Sequence, residues 1–212
     1  MSPAFTSVIS GLRGELADMV RMTGEAMGRA TDSLLNADLE KAQTVIAADR
    51  VIDDLNIRID DRSVRLVSTM APSDVEVREI LSILRVATSA ERMGDLAVHI
   101  AKSARLRHPD SAVPDAARDI VREMGELAEK LAGEAADVLE TQDARAAADL
   151  KIADERLDAL HRRLFNLVLS PQWNDGIEAA VDLTLISRFY ERFGDHAVSI
   201  AGRAAQDPTD RS

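Results

Sequence analysis

Four pairs of acidic side chains stand four residues apart in this chain: Asp49 with Asp53, Glu91 with Asp95, Asp154 with Asp158, and Glu191 with Asp195. On a helix, residues at i and i+4 share a face, and like charges placed there repel by about 0.2–0.5 kcal/mol per pair. A pattern that repeats such repulsion asks for a compensating cation, supplied by basic side chains or by metal. Carboxylate oxygens are hard donors that suit magnesium, manganese or iron, with zinc also open, and shared acids can bridge more than one ion.

Antiparallel hairpins would bring these pairs face to face. Asp53 and Glu91 both lie 19 residues from Pro72, and Asp49 and Asp95 both lie 23 residues from it. In the second half, Asp158 and Glu191 are symmetric about the Asn174–Asp175 bond, as are Asp154 and Asp195. Each half is therefore expected to gather one carboxylate quartet. Reflection about residue 37 also sets Glu25 opposite Asp49, and the second half offers Glu126 and Glu129 in the corresponding region.

The plainer alternative is that these acids are solvated helix positions balanced by Arg92, Arg192 or other basic side chains. Glu91 and Glu191 continue an apolar stripe, however, and partial burial makes an unpartnered charge costly. Gly94 and Gly194 stand inside the motifs, where glycine costs a helix up to ~1 kcal/mol relative to alanine. Close helix approach or ligand access would offset that cost; the alternative is a glycine that is merely tolerated.

Other chemistry has less support. None of His99, His108, His161 and His196 follows a glutamate by three residues, so the Glu-x-x-His signature of ferritin-like di-iron proteins is absent. Only His196, beside Asp195, is placed to approach a metal, and a surface position is the plainer reading. There is no glycine-rich phosphate loop and no nucleophile elbow. Arg188, Arg192 and Arg203 suit ion pairing better than catalysis. The chain has no cysteine, which excludes disulfides and thiolate sites and fits a cytoplasmic address.

Long helices must position these acids. Of 212 residues only six are aromatic, while Ala, Leu, Val, Ile, Asp, Glu and Arg dominate, a helical composition. A slide of 100 residues aligns Glu91–Ala104 with Glu191–Ala204, with nine identities in fourteen positions. A slide of 105 aligns Ala48, Asp49, Asp53 and Leu55 with Ala153, Asp154, Asp158 and Leu160. Internal repetition of this kind is the primary organisational signal. It predicts an all-α chain of six long helices, two tandem pseudo-symmetric antiparallel three-helix bundles, divided as 1–108 and 109–212.

Proline marks where helices stop. Breaks are expected at Asn36–Asp38, Ala71–Ser73, Thr141–Asp143 and Ser170–Gly176, with Asp as helix cap and Ser73/Glu76 at capping-box spacing. Val45, Ile52, Ile59 and Leu66 step at heptad intervals along the second helix, as a core-facing stripe should. Met1 to Leu12 reads as a short lead-in without the features of a secretory signal, and Gln206 to Ser212 reads as a frayed end.

Lys and Arg total 26 against 37 Asp and Glu, a formal charge of -11. That field repels phosphate backbones, so nucleic acid is not an expected partner. No stretch reaches the ~18 apolar residues that a membrane span needs, and membrane contact would come only through a partner.

Glu91-Arg-Met-Gly-Asp95 and Glu191-Arg-Phe-Gly-Asp195, taken with the Asp49/Asp53 and Asp154/Asp158 motifs, resemble the PhoU family of phosphate-transport regulators over nearly the whole chain. The departures are Asp at 49 and 154, where the family pattern has Glu, and divergent first helices. The resemblance implies two three-helix bundles with metal at the acidic motifs, and no enzymatic activity. It further implies signalling between the ATPase subunit of a phosphate ABC transporter and a two-component sensor histidine kinase, repressing phosphate-starvation genes when phosphate is plentiful. A homodimer, and a cytoplasmic place peripheral to the inner membrane face, are the accompanying expectations. Two other readings are a carboxylate-bridged di-metal enzyme and a metal-free helical spacer.

Overall fold

The computed structural model describes residues 3–206. Six helices follow one another: α1 (Pro3–Asn36), α2 (Leu39–Met70), α3 (Asp74–Arg107), α4 (Asp115–Thr141), α5 (Ala144–Val168) and α6 (Gly176–Ala204). Among the described residues there is no strand. Residues 207–212, most of the expected frayed end, lie outside the description.

The breaks are encoded locally. Asp38 accepts a hydrogen bond from the Lys41 backbone N–H at 2.9 Å, and Asp143 accepts from Arg145 at 2.8 Å and Ala146 at 3.3 Å. Each side chain thus satisfies an amide that the first helical turn leaves without a partner. Ser73 and Glu76 complete the capping box at the start of α3. Ala71, just before Pro72, takes the left-handed conformation at φ 44° and ends α2.

One boundary differs from expectation. The uncharged N-terminal stretch is not a lead-in but is helical from Pro3. Phe5, Ile9 and Leu12 recur at helical spacing and are all buried, so the opening turns of α1 have a core to pack against.

The heptad stripe lies inside, with Val45, Ile52, Ile59 and Leu66 buried on α2. α1 packs on α2, α3 and α4, while α6 packs on α3, α4 and α5. α1, α3, α4 and α6 therefore form a central ring, flanked by α2 on one side and α5 on the other. The buried side chains of both halves join in a single cluster.

Small residues allow the halves to meet closely. A Cβ on Gly24 would lie 2.9 Å from that of Ala132, and one on Gly125 would overlap the Thr31 side chain. Across this seam the Thr31 hydroxyl and the Tyr190 hydroxyl are 2.7 Å apart in full burial. Thr31 spends its proton on the Met27 carbonyl at 2.8 Å, so Tyr190 donates.

Candidate functional site

The two hairpins, α2–α3 and α5–α6, carry the acids. Helix periodicity fixes which side chains share a face, and the breaks at Pro72 and residues 169–175 set the register in which those faces meet. Gly94 reports that register directly: a Cβ there would lie 3.0 Å from Asp49 Oδ1 and 3.2 Å from Ile52 Cδ1. At Gly194 a Cβ would overlap Asp154 Oδ1 and approach Leu157 Cδ2 to 2.8 Å. In each half, then, the glycine inside the acidic motif vacates the space that an aspartate of the facing helix occupies. Close helix approach is what offsets its helical cost.

The acids act on one another across these contacts. Burial, then the charges of Asp53, Asp95 and Glu91, pushes Asp49 up to about 6. Burial, then Asp158, Asp195 and Glu191, does the same to Asp154, again to about 6. Glu91 is raised by burial and by Asp95 and Asp53, against the pull of Arg92. Glu191 is raised by burial and by Asp195 and Asp158, against Arg188 and His161. Asp154 Oδ1 and Glu191 Oε2 are buried without a hydrogen-bond partner.

Basic side chains balance only part of this charge. Arg92 lies 3.1 Å from Asp95 Oδ2 and 3.5 Å from Glu91 Oε2, and Arg188 lies 2.5 Å from Glu191 Oε1. Arg192, a counterion candidate by position, has no ion-pair or hydrogen-bond partner among the described residues.

The chemistry of the donors suits a hard cation: each half offers carboxylates that raise one another's affinity for protons, and in the second half two of their buried oxygens lack a donor. Their spacing is not closed, because among the described residues no three His, Asp or Glu side chains lie near enough to hold an ion as they stand. Holding one requires rotamer changes that turn the carboxylates of a quartet toward one another.

Glu25 lines a cavity of about 110 Å³ with Asp49, Gly94, Met22 and Arg29, inside the first bundle. Glu126 and Glu129 instead line a separate cavity of about 330 Å³ between α1 and α4, with Thr31 and Arg122. Glu129 is turned toward Gly28 of α1, so the α1–α4 seam takes its side chain. His196 lines the α3–α6 seam, with Arg92 and Arg192.

His161 was not singled out by sequence, yet it stands beside the second quartet. Its Nδ1 is 3.0 Å from Ser187 Oγ, and Ser187 donates to the Thr184 carbonyl, so the imidazole donates from Nδ1. The available signal was Asp158-x-x-His161, one helical turn; the first half has Asn56 at the matching place.

Tandem three-helix repeats that face matched carboxylates across their second and third helices define a class of bundle, and comparison with known proteins places it. The family model described as "PhoU domain" matches residues 16–104 and again 121–204. The chain belongs to the PhoU family. It is 40% identical over 203 residues to the phosphate-specific transport system accessory protein PhoU homolog 2 of Mycobacterium tuberculosis, covering 96% of this chain and 95% of that one. It is 38% identical to PhoU homolog 1 of Mycobacterium leprae, covering 96% and 91%. The crystal structure of PhoU from Pseudomonas aeruginosa superposes with a TM-score of 0.80 at 26% identity, covering 94% of this chain and 96% of that one. The phosphate transport system regulatory protein PhoU from Streptococcus pneumoniae gives 0.82 at 22% identity, covering 94% of each, a likeness of fold.

Proposed function

We propose that this chain is a non-enzymatic accessory protein of phosphate transport, and that it represses phosphate uptake and the starvation response when phosphate is plentiful. It acts as a cytoplasmic adapter between the ATPase subunit of a phosphate ABC transporter and a two-component sensor histidine kinase, and reaches the membrane only through these partners. No described helix is long and apolar enough to cross a membrane. The observation that carries the reading is the pair of facing carboxylate clusters, one in each repeat of a chain that belongs to the PhoU family.

In this reading Asp49, Asp53, Glu91 and Asp95 hold one cation site, and Asp154, Asp158, Glu191 and Asp195 hold the other. Iron, zinc, manganese or magnesium bound there would supply positive charge to offset mutual carboxylate repulsion and would tie α2 to α3 and α5 to α6. The carboxylates orient by rotamer change, and Gly94 and Gly194 leave room for the innermost aspartate on each hairpin. Two arginines limit the charge of the apo quartets: Arg92 on Glu91 and Asp95, and Arg188 on Glu191.

The test is a crosslinked pull-down of the full chain from cells grown in high and low phosphate. Recovery of a transporter ATPase and a sensor kinase is expected; recovery of neither contradicts the adapter role. Loss of the gene should leave phosphate-scavenging genes expressed in rich phosphate, and unchanged repression would contradict the proposed negative regulation.

A further inference from the structure

Where α3 of the first half meets α6 of the second, a cavity of about 110 Å³ opens to solvent. Its walls are Arg92, Asp95, Leu96 and His99 from α3, and Phe189, Arg192 and His196 from α6. One water needs roughly 10–15 Å³ of such space, so the cavity has room for several waters or one small oxyanion. Leu96 is buried, and Phe189 stacks on the His99 ring at 4.9 Å between centroids and 18° between planes.

Two guanidiniums and two imidazoles thus border one small space. Arg192 has no ion-pair or hydrogen-bond partner among the described residues. Arg92 is held through Asp95 and Glu91 on one side, and its side chain is still 57% exposed. His196 is partly buried and lines the same space as the two positive guanidiniums. In a chain of formal charge -11, a local convergence of this sign stands against the overall field and points to a local use for it.

Guanidinium forks match the oxygens of a tetrahedral anion in pairs. The carboxylate of Asp95 in the same wall then distinguishes among such anions. Sulfate carries no proton near neutral pH and presents only acceptors, so it would meet Asp95 with repulsion. Inorganic phosphate keeps at least one hydroxyl, which can donate to a carboxylate.

We propose that the cavity between α3 and α6 binds one free inorganic phosphate ion, with Arg92 and Arg192 holding its unprotonated oxygens, His99 and His196 donating hydrogen bonds, and Asp95 accepting from its hydroxyl. The site spans the seam between the two repeats, so a bound ion joins the halves. It shares Asp95 with the first of the proposed cation sites and is therefore tested on the metal-free chain; it does not depend on the adapter role.

Isothermal titration of the full, chelator-treated chain with inorganic phosphate tests the assignment. Saturable binding of one ion per chain is expected. Arg192→Gln and Arg92→Gln should each weaken it about tenfold or more, the effect of losing a charge-assisted hydrogen bond. Arg156→Gln, which removes a pair with Glu123 elsewhere on the surface, should leave affinity unchanged. Sulfate should fail to displace phosphate from the wild-type chain, and Asp95→Asn should let it compete. Absence of saturable binding, wild-type affinity in both α3 and α6 arginine variants, or equal displacement by sulfate would each overturn the proposal. Displacement by ATP at the potency of free phosphate would overturn the free-ion assignment in favour of a phosphoryl group on a larger molecule. Chelation separates this outcome from the cation reading: loss of metal with phosphate still bound supports the cavity as the site.

Discussion

Asp154→Asn should stabilise the metal-free protein at neutral pH. Burial and three neighbouring carboxylates push Asp154 from the ordinary 3.8 up to about 6, a change of roughly two units at ~1.4 kcal/mol each, or roughly 3 kcal/mol of penalty on its ionised form. The side chain is only partly buried, and solvent screening reduces this to about 1 kcal/mol. The sign follows from proton linkage. Because the folded pKa lies above the unfolded one, the native state binds more protons between the two values, and stability falls as pH rises through that window. Below about pH 4 both states are protonated and the penalty vanishes; above about 6 it is fully present. Urea denaturation of chelator-treated wild type and Asp154→Asn from pH 4 to 7.5 should therefore give curves that converge at the acidic end and separate by about 1 kcal/mol at pH 7, with the variant more stable. A variant equal to or less stable than wild type at pH 7, or a gap that does not close in acid, would refute the view that this carboxylate is held in unrelieved repulsion.

Tyr190→Phe removes the buried donor to Thr31 that links α6 to α1, and should cost about 1 kcal/mol, read as a melting temperature lower by roughly 2–4 °C. Gly194→Ala puts a methyl against Asp154 and Leu157 and should destabilise by about 1–3 kcal/mol. Gly202→Ala, on the same helix with nothing within 4 Å of the added Cβ, should stabilise by roughly 0.4–1 kcal/mol; thermal melts compare the two directly. Manganese or magnesium should raise the melting temperature of wild type and leave that of a chain lacking Glu91, Asp95, Glu191 and Asp195 carboxylates unmoved.

The hairpin register was legible from residue numbers because it depends on local events. Pro72 stops one helix, Asp38, Ser73 and Asp143 start others, and periodicity then dictates which acids face each other. The contact of Asp49 with Gly94 and that of Asp154 with Gly194 are direct consequences of that register. The seam between the repeats was not legible, because it joins positions far apart in the chain through side-chain shape. Glu129 lies against Gly28, on a helix of the other half, where correspondence with Glu25 of the first half suggests a place near the second quartet. His161 looks like one of four scattered histidines in the sequence because its neighbours Ser187 and Glu191 belong to the facing helix. The N-terminal turns read as a lead-in because no charge marks their outer face up to Leu12, yet Phe5, Ile9 and Leu12 fill the core.

The central claim, that each repeat holds a cation between facing carboxylates, is tested most directly by manganese titration of the chelator-treated chain, followed by electron paramagnetic resonance and calorimetry. Saturable uptake is expected in wild type, halved when Glu91 and Asp95 become Gln and Asn and abolished when Glu191 and Asp195 are changed as well. Uptake that never saturates, or that survives all four substitutions, would contradict it.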